Sequence, residues 1–525
     1  MRLFTTIAAV RCDLNFHRSK TPQATIGFVP TMGSLHPGHL SLIERARSEN
    51  AIVVVSIFVN PLQFGPQEDL KQYPRSVDHD LSLCEQAGVD IVFMPSVEKI
   101  LGISQQDHDQ QDKTEVDSPP QTRVVPPLNM MSVLCGPARP GHFPGVTTIV
   151  AKLFNIIEPT RAYFGRKDAQ QLAIIRRMVR DLNWPIEIVA CPIVREASGL
   201  AYSSRNQYLT PQQQTTATVL YRALRKGKQV FLEGNCHQSA ILSAVQTELA
   251  TTPEVELEYL QLVDPDTMTP LTEVREVGLL AIAARVNTTR LIDNLILRNR
   301  KPIVAIDGPA GAGKSTVTRQ VAQQLNLLFL DTGAMYRAVT WLVLESGIEM
   351  SDEPAVAELV HQCQIELIPQ QDQLGVCING RDVTAEIRST QVTANVSAIA
   401  AQSVVRESLV KQQQAYGRTG GVVAEGRDIG TSVFPDAELK IFLTASVKER
   451  SQRRQLELQQ QGLEDISLEQ IEQEIAQRDY KDSTRSIAPL RKAADAIEVQ
   501  TDGLTIEQVT EEIIRLYHQK ITQLT

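Results

Sequence analysis

The chain has 525 residues, more than one hydrophobic core serves well, so roughly two to four domains are expected. Its 42% hydrophobic and 22% charged residues are ordinary for a globular protein in water, and a net charge of −9 argues against general nucleic-acid or anionic-membrane binding. Seven scattered cysteines without a C-x-x-C pair point to reduced thiols and a cytoplasmic location, and no signal-peptide pattern or bilayer-length apolar run is present.

T-I-G-F-V-P from Thr25 to Pro30 reads as a strand, then comes the loop T-M-G-S-L-H-P-G-H and a helical stretch from Leu40 to Ser48. The continuous apolar run I-V-V-V-S-I-F from Ile52 to Phe58 reads as a buried strand, so the segment is a β-loop-α-β unit of a parallel sheet. V-D-I-V-F-M-P at 89–95 is a further strand. Residues 102–123, rich in Gln, Asp, Ser and Pro, read as a polar surface insertion. After Gly145 a helical pattern, the strand R-A-Y-F, a helix from Gln170 to Val179 and the strand I-E-I-V-A at 186–190 follow in turn. From about Thr210 a long polar helix and strands at 255–263 and 279–286 predict a small α+β subdomain running to about residue 295. R-N-R-K-P at 298–302 is the expected junction, because Pro302 disfavours helix before it.

Beyond the junction, K-P-I-V-A-I-D-G-P-A-G-A-G-K-S-T at 301–316 gives strand, glycine-rich loop and helix start. L-L-F-L-D-T-G-A-M-Y-R is a strand entering a helix, and 364–385 carries a hairpin signal at Asn379-Gly380. G-V-V-A-E-G-R-D-I-G, the strand L-K-I-F-L-T-A-S, an Arg/Gln/Glu-rich helical region at 447–480, D-A-I-E-V-Q-T and a last helix close the chain. The two halves show no internal repeat.

Two constellations carry chemistry. Gly308 to Ser315 fits G-x-x-x-x-G-K-[ST]: glycines let backbone N–H groups wrap nucleotide phosphates, Lys314 reaches the outer phosphates, and the Ser315 hydroxyl suits a magnesium ion. The loop meets a helix N-terminus, where the dipole favours anions. No N-K-x-D guanine-reading motif is present, which argues against a GTPase switch. In the first half, M-G-S-L-H-P-G-H sets His36 and His39 three apart on one helix face, with Gly33 and Gly38 allowing close backbone approach. Two imidazoles beside a helix N-terminus suit the holding of ATP phosphates while the α-phosphorus is attacked. A zinc reading is weak, because no glutamate completes H-E-x-x-H.

The histidine motif is followed in order by V-S-I-F-V-N-P-L-Q-F, Y-P-R, R-P-G-H-F-P-G-V-T-T-I-V, F-G-R-K-D-A-Q-Q-L and Y-S-S-R-N. Over roughly residues 3–290 this set closely resembles pantoate–β-alanine ligases, the pantothenate synthetases. Those are H-x-G-H nucleotidyltransferases with the Rossmann-like sheet of class I aminoacyl-tRNA synthetases. The resemblance implies ATP binding by Met32, Gly33, Ser34, Leu35, His36, Pro37, Gly38 and His39, with His36 on the phosphates and His39 as proton donor. It implies that Gln63 and Gln171 hold pantoate and β-alanine, and that Gly165, Arg166, Lys167 and Asp168 line the nucleotide, Lys167 offsetting phosphate charge. Val194 would sit by the adenine, and Tyr202, Ser203, Ser204 and Arg205 would form a second phosphate-gripping motif. The family usually has Glu where this chain has Arg166, and Leu or Met where it has Tyr202. It also implies a pantoyl-adenylate route and a homodimer through this half.

The second half adds D-T-G-A-M-Y-R, N-G-R-D-V-T-A-E-I-R, E-G-R-D-I-G and R-D-Y-K-D-S-T-R-S-I-A-P-L to the phosphate loop. Over about residues 302–523 this order resembles bacterial cytidylate kinases. The resemblance implies ATP binding by Gly308, Pro309, Ala310, Gly311, Ala312, Gly313, Lys314, Ser315 and Thr316, with Mg2+ on Ser315 through the nucleotide. Thr332, Arg337, Arg427 and Arg485 would hold the phosphate of CMP or dCMP. Ser397, Arg406 and Asp428 would read the cytosine edge, Asp482 would contact the sugar, and Arg478 would belong to a closing lid. The expected α/β architecture is then a Rossmann-like ATP/pantoate domain at 1–197, a small α+β subdomain at 198–296, and a P-loop kinase domain at 297–525 with a monophosphate-binding insert at about 364–410 and a lid at about 450–488. No tightly bound organic cofactor, nucleic acid or membrane partner is expected. Two other readings stand beside this one: that one half is a degenerate regulatory nucleotide-binding module, or that the first half is a synthetase-like tRNA binder. The second lacks a K-M-S-K-S motif.

Overall fold

The computed structural model describes residues 1–65, 68, 70, 72–102, 122–369, 374–460, 467–485 and 488–524. The polar insertion expected at 102–123 therefore lies, apart from its ends, outside the described residues, as do parts of the expected kinase insert and lid. The chain divides into two compact units, Met1–Asn299 and Arg300–Thr525.

The first unit is built on β1 (Arg2–Phe4), β2 (Ile26–Thr31), β3 (Ile52–Ile57), β4 (Ile91–Phe93), β5 (Arg161–Gly165) and β6 (Glu187–Cys191). All pairings are parallel, in the order β1-β4-β3-β2-β5-β6. Every residue of β3 is buried, as a strand covered on both faces requires. Its helices include α1 (Ile7–Lys20), α2 (Pro37–Glu49), α3 (His142–Ile157) and α4 (Ala169–Asp181). Phe28 and Val54 pack with Val10, Leu14 and Phe154 of α1 and α3. Their strand neighbours Val29, Val53 and Val55 pack with Leu42, Ile43 and Ala46 of α2. Alternate side chains thus feed two cores, the period-2 consequence of the strand. The chain leaves β2 towards β3 and β4, then returns to place β5 on the opposite side of β2. The carboxyl ends of β2 and β5 flank a topological switch point, where open α/β sheets bind ligands.

The unit continues with α5 (Val219–Leu232) and α6 (Gln238–Leu249) and an antiparallel sheet of β7 (Val255–Val263), β8 (Val277–Val286) and β9 (Thr289–Arg298). Leu220, Leu224, Ile241 and Val245 cover one face of that sheet, on Leu280, Ile282 and Ala284. Leu279 and Ala281 face the other way, onto Cys135, Phe143 and Ile174. The strand β9 has no counterpart in the sequence reading; a tight turn with Asn287 at φ 55° joins it to β8.

The second unit contains β10 (Lys301–Asp307), β11 (Leu328–Asp331), β12 (Ile365–Pro369), β13 (Leu374–Ile378), β14 (Arg381–Asp382), β15 (Gly420–Gly426), β16 (Leu439–Thr444) and β17 (Ile497–Gln500). A five-stranded parallel sheet has the order β11-β15-β10-β16-β17, and β12-β13-β14 form a small antiparallel sheet. Asn379 (φ 52°) and Gly380 (φ 78°) make the hairpin turn that their dipeptide predicts. The helices that matter for the site are α7 (Lys314–Leu325), α8 (Thr332–Glu345), α9 (Thr390–Ala401), α10 (Ser403–Tyr416), α11 (Val447–Gln460) and α12 (Leu468–Thr484).

Candidate active sites

In the first unit, residues 32–36 lead from β2 into α2 at the switch point. The loop turns through left-handed conformations at Gly33 (φ 82°) and Ser34 (φ 51°). A Cβ on Gly33 would also lie 3.0 Å from Asp80 Oδ2, so glycine serves both the turn and the approach. Asp80 is 1% exposed and accepts hydrogen bonds from the Ser34 and Leu35 amides, each at 2.8 Å. The helix α2 begins at Pro37, three residues before the predicted start at Leu40, because proline at N1 sets φ for the first turn without apolar periodicity to announce it.

His36 caps that helix, its Nδ1 accepting from the Gly38 amide at 3.1 Å. The neutral ring then carries its hydrogen on Nε2. His39 stacks on His36 with ring centres 4.0 Å apart, and the Tyr202 ring lies nearly parallel to His36 at 6.2 Å. Burial, then the nearby Lys167 charge, pushes His36 down to about 4. Burial, His36 and Lys167 push His39 down to about 3, so both imidazoles are neutral at pH 7. Nδ1 of His39 is sealed from solvent and has no hydrogen-bond partner among the described residues.

These shifts fix a pH dependence. Unfolded histidines take up protons as pH falls through 6.5, whereas the folded pair resists until about 4 and 3. The unfolded chain therefore binds more protons in that window, and stability falls as pH is lowered through it. A His36→Asn/His39→Asn double variant is expected to lose less stability between pH 6.5 and pH 4 than wild type, read from urea midpoints at both pH values. Parallel losses would contradict the neutral assignment.

Across the crevice β5 ends at Gly165, and Arg166–Asp168 make a single 3-10 turn into α4. Asn294 of β9 holds this turn, donating through Nδ2 to the carbonyls of Arg166 at 3.0 Å and Lys167 at 2.9 Å. Lys167 Nζ lies 3.3 Å from Asp168 Oδ2. Desolvation works against the Asp168 charge, but Lys167, Arg205 and His142 hold its carboxyl below the usual range. Lys167, Asp168, Gln171, Ser203 and Arg205 line one pocket together with Arg139 and His142. The Tyr202 amide donates to the Val194 carbonyl at 3.0 Å, and Ser204 Oγ donates to the Ser34 carbonyl at 3.2 Å, docking the second motif on the histidine loop.

Gln63 Nε2 donates to Met32 Sδ at 3.0 Å, and its Oε1 accepts from Asn60 at 3.1 Å. Gly145 of α3 allows this placement: a Cβ there would meet the Leu62 carbonyl oxygen at 2.1 Å. His142 Nδ1 donates to the Gln63 carbonyl at 2.9 Å, and its Nε2 receives Arg139 at 3.0 Å. Arg139 grips Glu68 with two bonds of 2.6 and 2.7 Å. Asp80, Arg139, His142 and Asn294 have no assigned role in the sequence reading. Arg139 and His142 at least lie inside the R-P-G-H motif, whereas Asp80 and Asn294 carry no local signal.

In the second unit β10 runs into the phosphate loop, and α7 starts at Lys314 after Gly313 at φ 81°. The amides of the first helical turn have no intrahelical acceptor and form an anion cradle. Lys314 is buried and its Nζ donates to the Pro309 carbonyl at 2.6 Å. Burial, then the Arg427 charge, pushes its ammonium well down, against the pull of Glu425 and Asp307. Arg450 of α11 braces the loop, donating to the Ala310 carbonyl at 3.1 Å while gripping Asp479 of α12 at 2.6 and 3.0 Å.

The strand β15 lies between β10 and β11 and delivers the other half of the site. Burial, then the Asp331 charge, pushes the Glu425 carboxyl up to about 7, and Oε2 of Glu425 has no hydrogen-bond partner among the described residues. Thr332 Oγ1 donates to the Glu425 carbonyl at 2.7 Å, and Arg337 pairs with Asp331 at 3.1 Å. Arg406 of α10 and Asp428 form a buried ion pair. Arg427 pairs with Asp482 at 2.9 Å, and Arg485 lies 3.7 Å from Asp428. Arg427, Asp482 and Arg337 are among the charged groups that face Arg478. The structure thus gathers Thr332, Arg337, Arg406, Arg427, Asp428, Arg478, Asp482 and Arg485. Ser397 stands exposed on α9, and its hydroxyl hydrogen-bonds to none of the described residues.

Family models for pantoate-beta-alanine ligase and cytidylate kinase match residues 2–296 and 304–519. The chain is 58% identical to a bifunctional pantoate ligase/cytidylate kinase of Trichormus variabilis, an alignment that spans 100% of both chains. It is 56% identical to the protein of that description from Synechocystis sp., over 98% of this chain and 99% of the relative. A crystal structure of pantothenate synthetase from Thermus thermophilus is 45% identical with a TM-score of 0.50, covering 56% of this chain and 99% of that one.

Proposed function

We infer the chemistry of each unit from one premise: the chain belongs to the bifunctional pantoate ligase/cytidylate kinase family. It is an enzyme with two activities, joining pantoate to β-alanine at the expense of ATP and phosphorylating CMP. The observation that carries the finer reading is that each unit has its own phosphate cradle at the carboxyl end of a central parallel strand, β2 in one and β10 in the other. The reading of one half as a degenerate nucleotide-binding module finds no support, since both cradles keep their polar residues.

In the ligase unit, pantoate held by Gln63 and Gln171 attacks the ATP α-phosphorus through its carboxylate. An O–P bond forms, pyrophosphate leaves, and pantoyl adenylate results. The β-alanine amine then attacks the acyl carbon, AMP leaves with the bonding electrons, and the amine loses a proton. His36 and His39, being neutral, each keep one N–H to donate to the charge that builds on the phosphates. Lys167 offsets that charge from the opposite wall.

In the kinase unit, Lys314 and the loop amides hold the ATP phosphates while Arg337, Arg427 and Arg485 hold the phosphate of CMP or dCMP. Among the described residues no set of three His, Cys, Asp or Glu side chains is arranged to hold a metal ion. Ser315 and the nearby Glu425 carboxylate fit a Mg2+ that arrives on the nucleotide phosphates, as that ion prefers, and there it supplies charge neutralisation. Ser397 reaches the base when α9 moves inward, a closure of the kind that excludes water from phosphoryl transfer. We read 1–197, 198–296 and 297–525 as the functional divisions, with a homodimer through the ligase half and a cytoplasmic location. No described helix is long and apolar enough to cross a membrane.

Purified protein given ATP, pantoate and β-alanine is expected to yield AMP, and given ATP and CMP to yield ADP; absence of either product contradicts that half of the reading. Base choice tests the Arg406–Asp428 pair. The carboxylate accepts from the cytosine amino group, whereas uracil presents a carbonyl there, which faces the carboxylate and finds no donor. An unsatisfied buried group of this kind costs about 1–3 kcal/mol. CMP is therefore preferred to UMP, and Asp428→Asn lowers CMP turnover and narrows the gap. Equal kcat/KM for the two nucleotides in wild type would contradict the assignment.

A further inference from the structure

Tyr336 lies on α8, one position before Arg337, and the reading above gives it no role. It is 8% exposed, and its hydroxyl is sealed from solvent without a hydrogen-bond partner among the described residues. Buried hydroxyls in folded proteins are rarely left so, and one that is points to an acceptor supplied from outside the chain. Its surroundings say what kind. The charged groups that face it are Arg406, Asp428 and Arg485, and the Arg406 guanidinium sits 5.5 Å from its ring centre. Asp428 is already engaged by Arg406 and has Arg485 at 3.7 Å. A terminal nitrogen of Arg485 and Nε of Arg337 are likewise buried without a hydrogen-bond partner among the described residues. Arg406 and Arg485 share the Asp428 carboxylate, and Arg337 has Asp331, so donors outnumber the acceptors around the hydroxyl. A pocket of that composition is complementary to a ligand rich in acceptor oxygens.

We propose that the Tyr336 hydroxyl donates a hydrogen bond to an acceptor oxygen of the nucleoside monophosphate, which makes Tyr336 a substrate-binding residue of the kinase unit. The proposal rests on the kinase reading of that unit. The ring fixes the donor: it packs in the core beside Ala334, Met335 and Val339, so the hydroxyl is held in place before the nucleotide arrives. Cytosine and uracil both carry the 2-carbonyl, and both monophosphates carry the same phosphate, so this contact contributes affinity without choosing between them.

Tyr336→Phe in the full chain is the test, since it keeps the ring and its packing. The KM for CMP is expected to rise roughly tenfold, the size of one lost hydrogen bond, with kcat and the KM for ATP unchanged. The KM for UMP rises by the same factor, so the CMP/UMP ratio stays put. The rise in melting temperature that CMP induces shrinks, while the melting temperature of the free protein does not fall, because a hydroxyl without a partner has been removed. Cytidine as a competitive inhibitor locates the oxygen: weaker inhibition of the variant places it on the nucleoside, and unchanged inhibition places it on the phosphate. An unchanged KM for CMP, or equal losses towards CMP and ATP, overturns the proposal. Wild-type protein that failed to phosphorylate CMP would instead remove the kinase reading itself.

Discussion

Lys314→Ala is expected to cut CDP formation to a trace and to leave pantothenate formation at its wild-type rate. The ammonium lies buried at the N-terminus of α7, where burial and Arg427 depress its pKa until a polyphosphate restores the demand for charge. Loss of one preorganised donor to transferring phosphoryl charge costs about 2.7–4 kcal/mol, or 10²–10³ in rate. Alanine also leaves the loop carbonyl of Pro309 without its 2.6 Å donor, so the cradle itself loosens. Every residue assigned to the ligase lies in the first compact unit, and every residue assigned to the kinase in the second. A variant that folds, as judged by its melting curve, and yet loses both activities would contradict the two-site account.

His39→Ala has the opposite selectivity. It is expected to slow pantoyl-adenylate formation and to spare CMP phosphorylation. The ring is packed face to face with His36, so the variant removes both a donor and the wall that orients its neighbour. The expected loss in the adenylation step is roughly 3 kcal/mol, by the same reasoning about donors aimed at developing oxyanion charge. Because His39 is neutral before ATP binds, the rate of the wild-type step should not rise as pH is lowered from 7 to 6. Pyrophosphate release at a near-normal rate by His39→Ala would count against the assignment.

The strands and loops that carry both sites were legible because their signals are local. I-V-V-V-S-I can only be buried on both faces, and the spacing of glycines and lysine in the phosphate loop sits within eight residues. What escaped was non-local. Asp80 reaches the histidine loop across 46 residues, and Asn294 fixes the Arg166 turn across 128. Neither residue looks unusual in its own segment. The start of α2 was misplaced because P-G-H offers no apolar periodicity, and β9 was missed because its T-R-L-I-D-N-L-I-L-R mixes charge with apolar residues on a strand that packs on only part of each face. Ser397 shows the converse. The family resemblance implies a base contact for it, while the helix that bears it leaves its side chain exposed.

The central claim is that one chain cleaves ATP in two places, at the α-phosphorus in the first unit and at the γ-phosphorus in the second. A single incubation with γ-labelled ATP, pantoate, β-alanine and CMP tests it directly. The account predicts label in two products only, pyrophosphate in step with pantothenate and CDP in step with ADP. Label in orthophosphate alone, or pantothenate formed without labelled pyrophosphate, would contradict it.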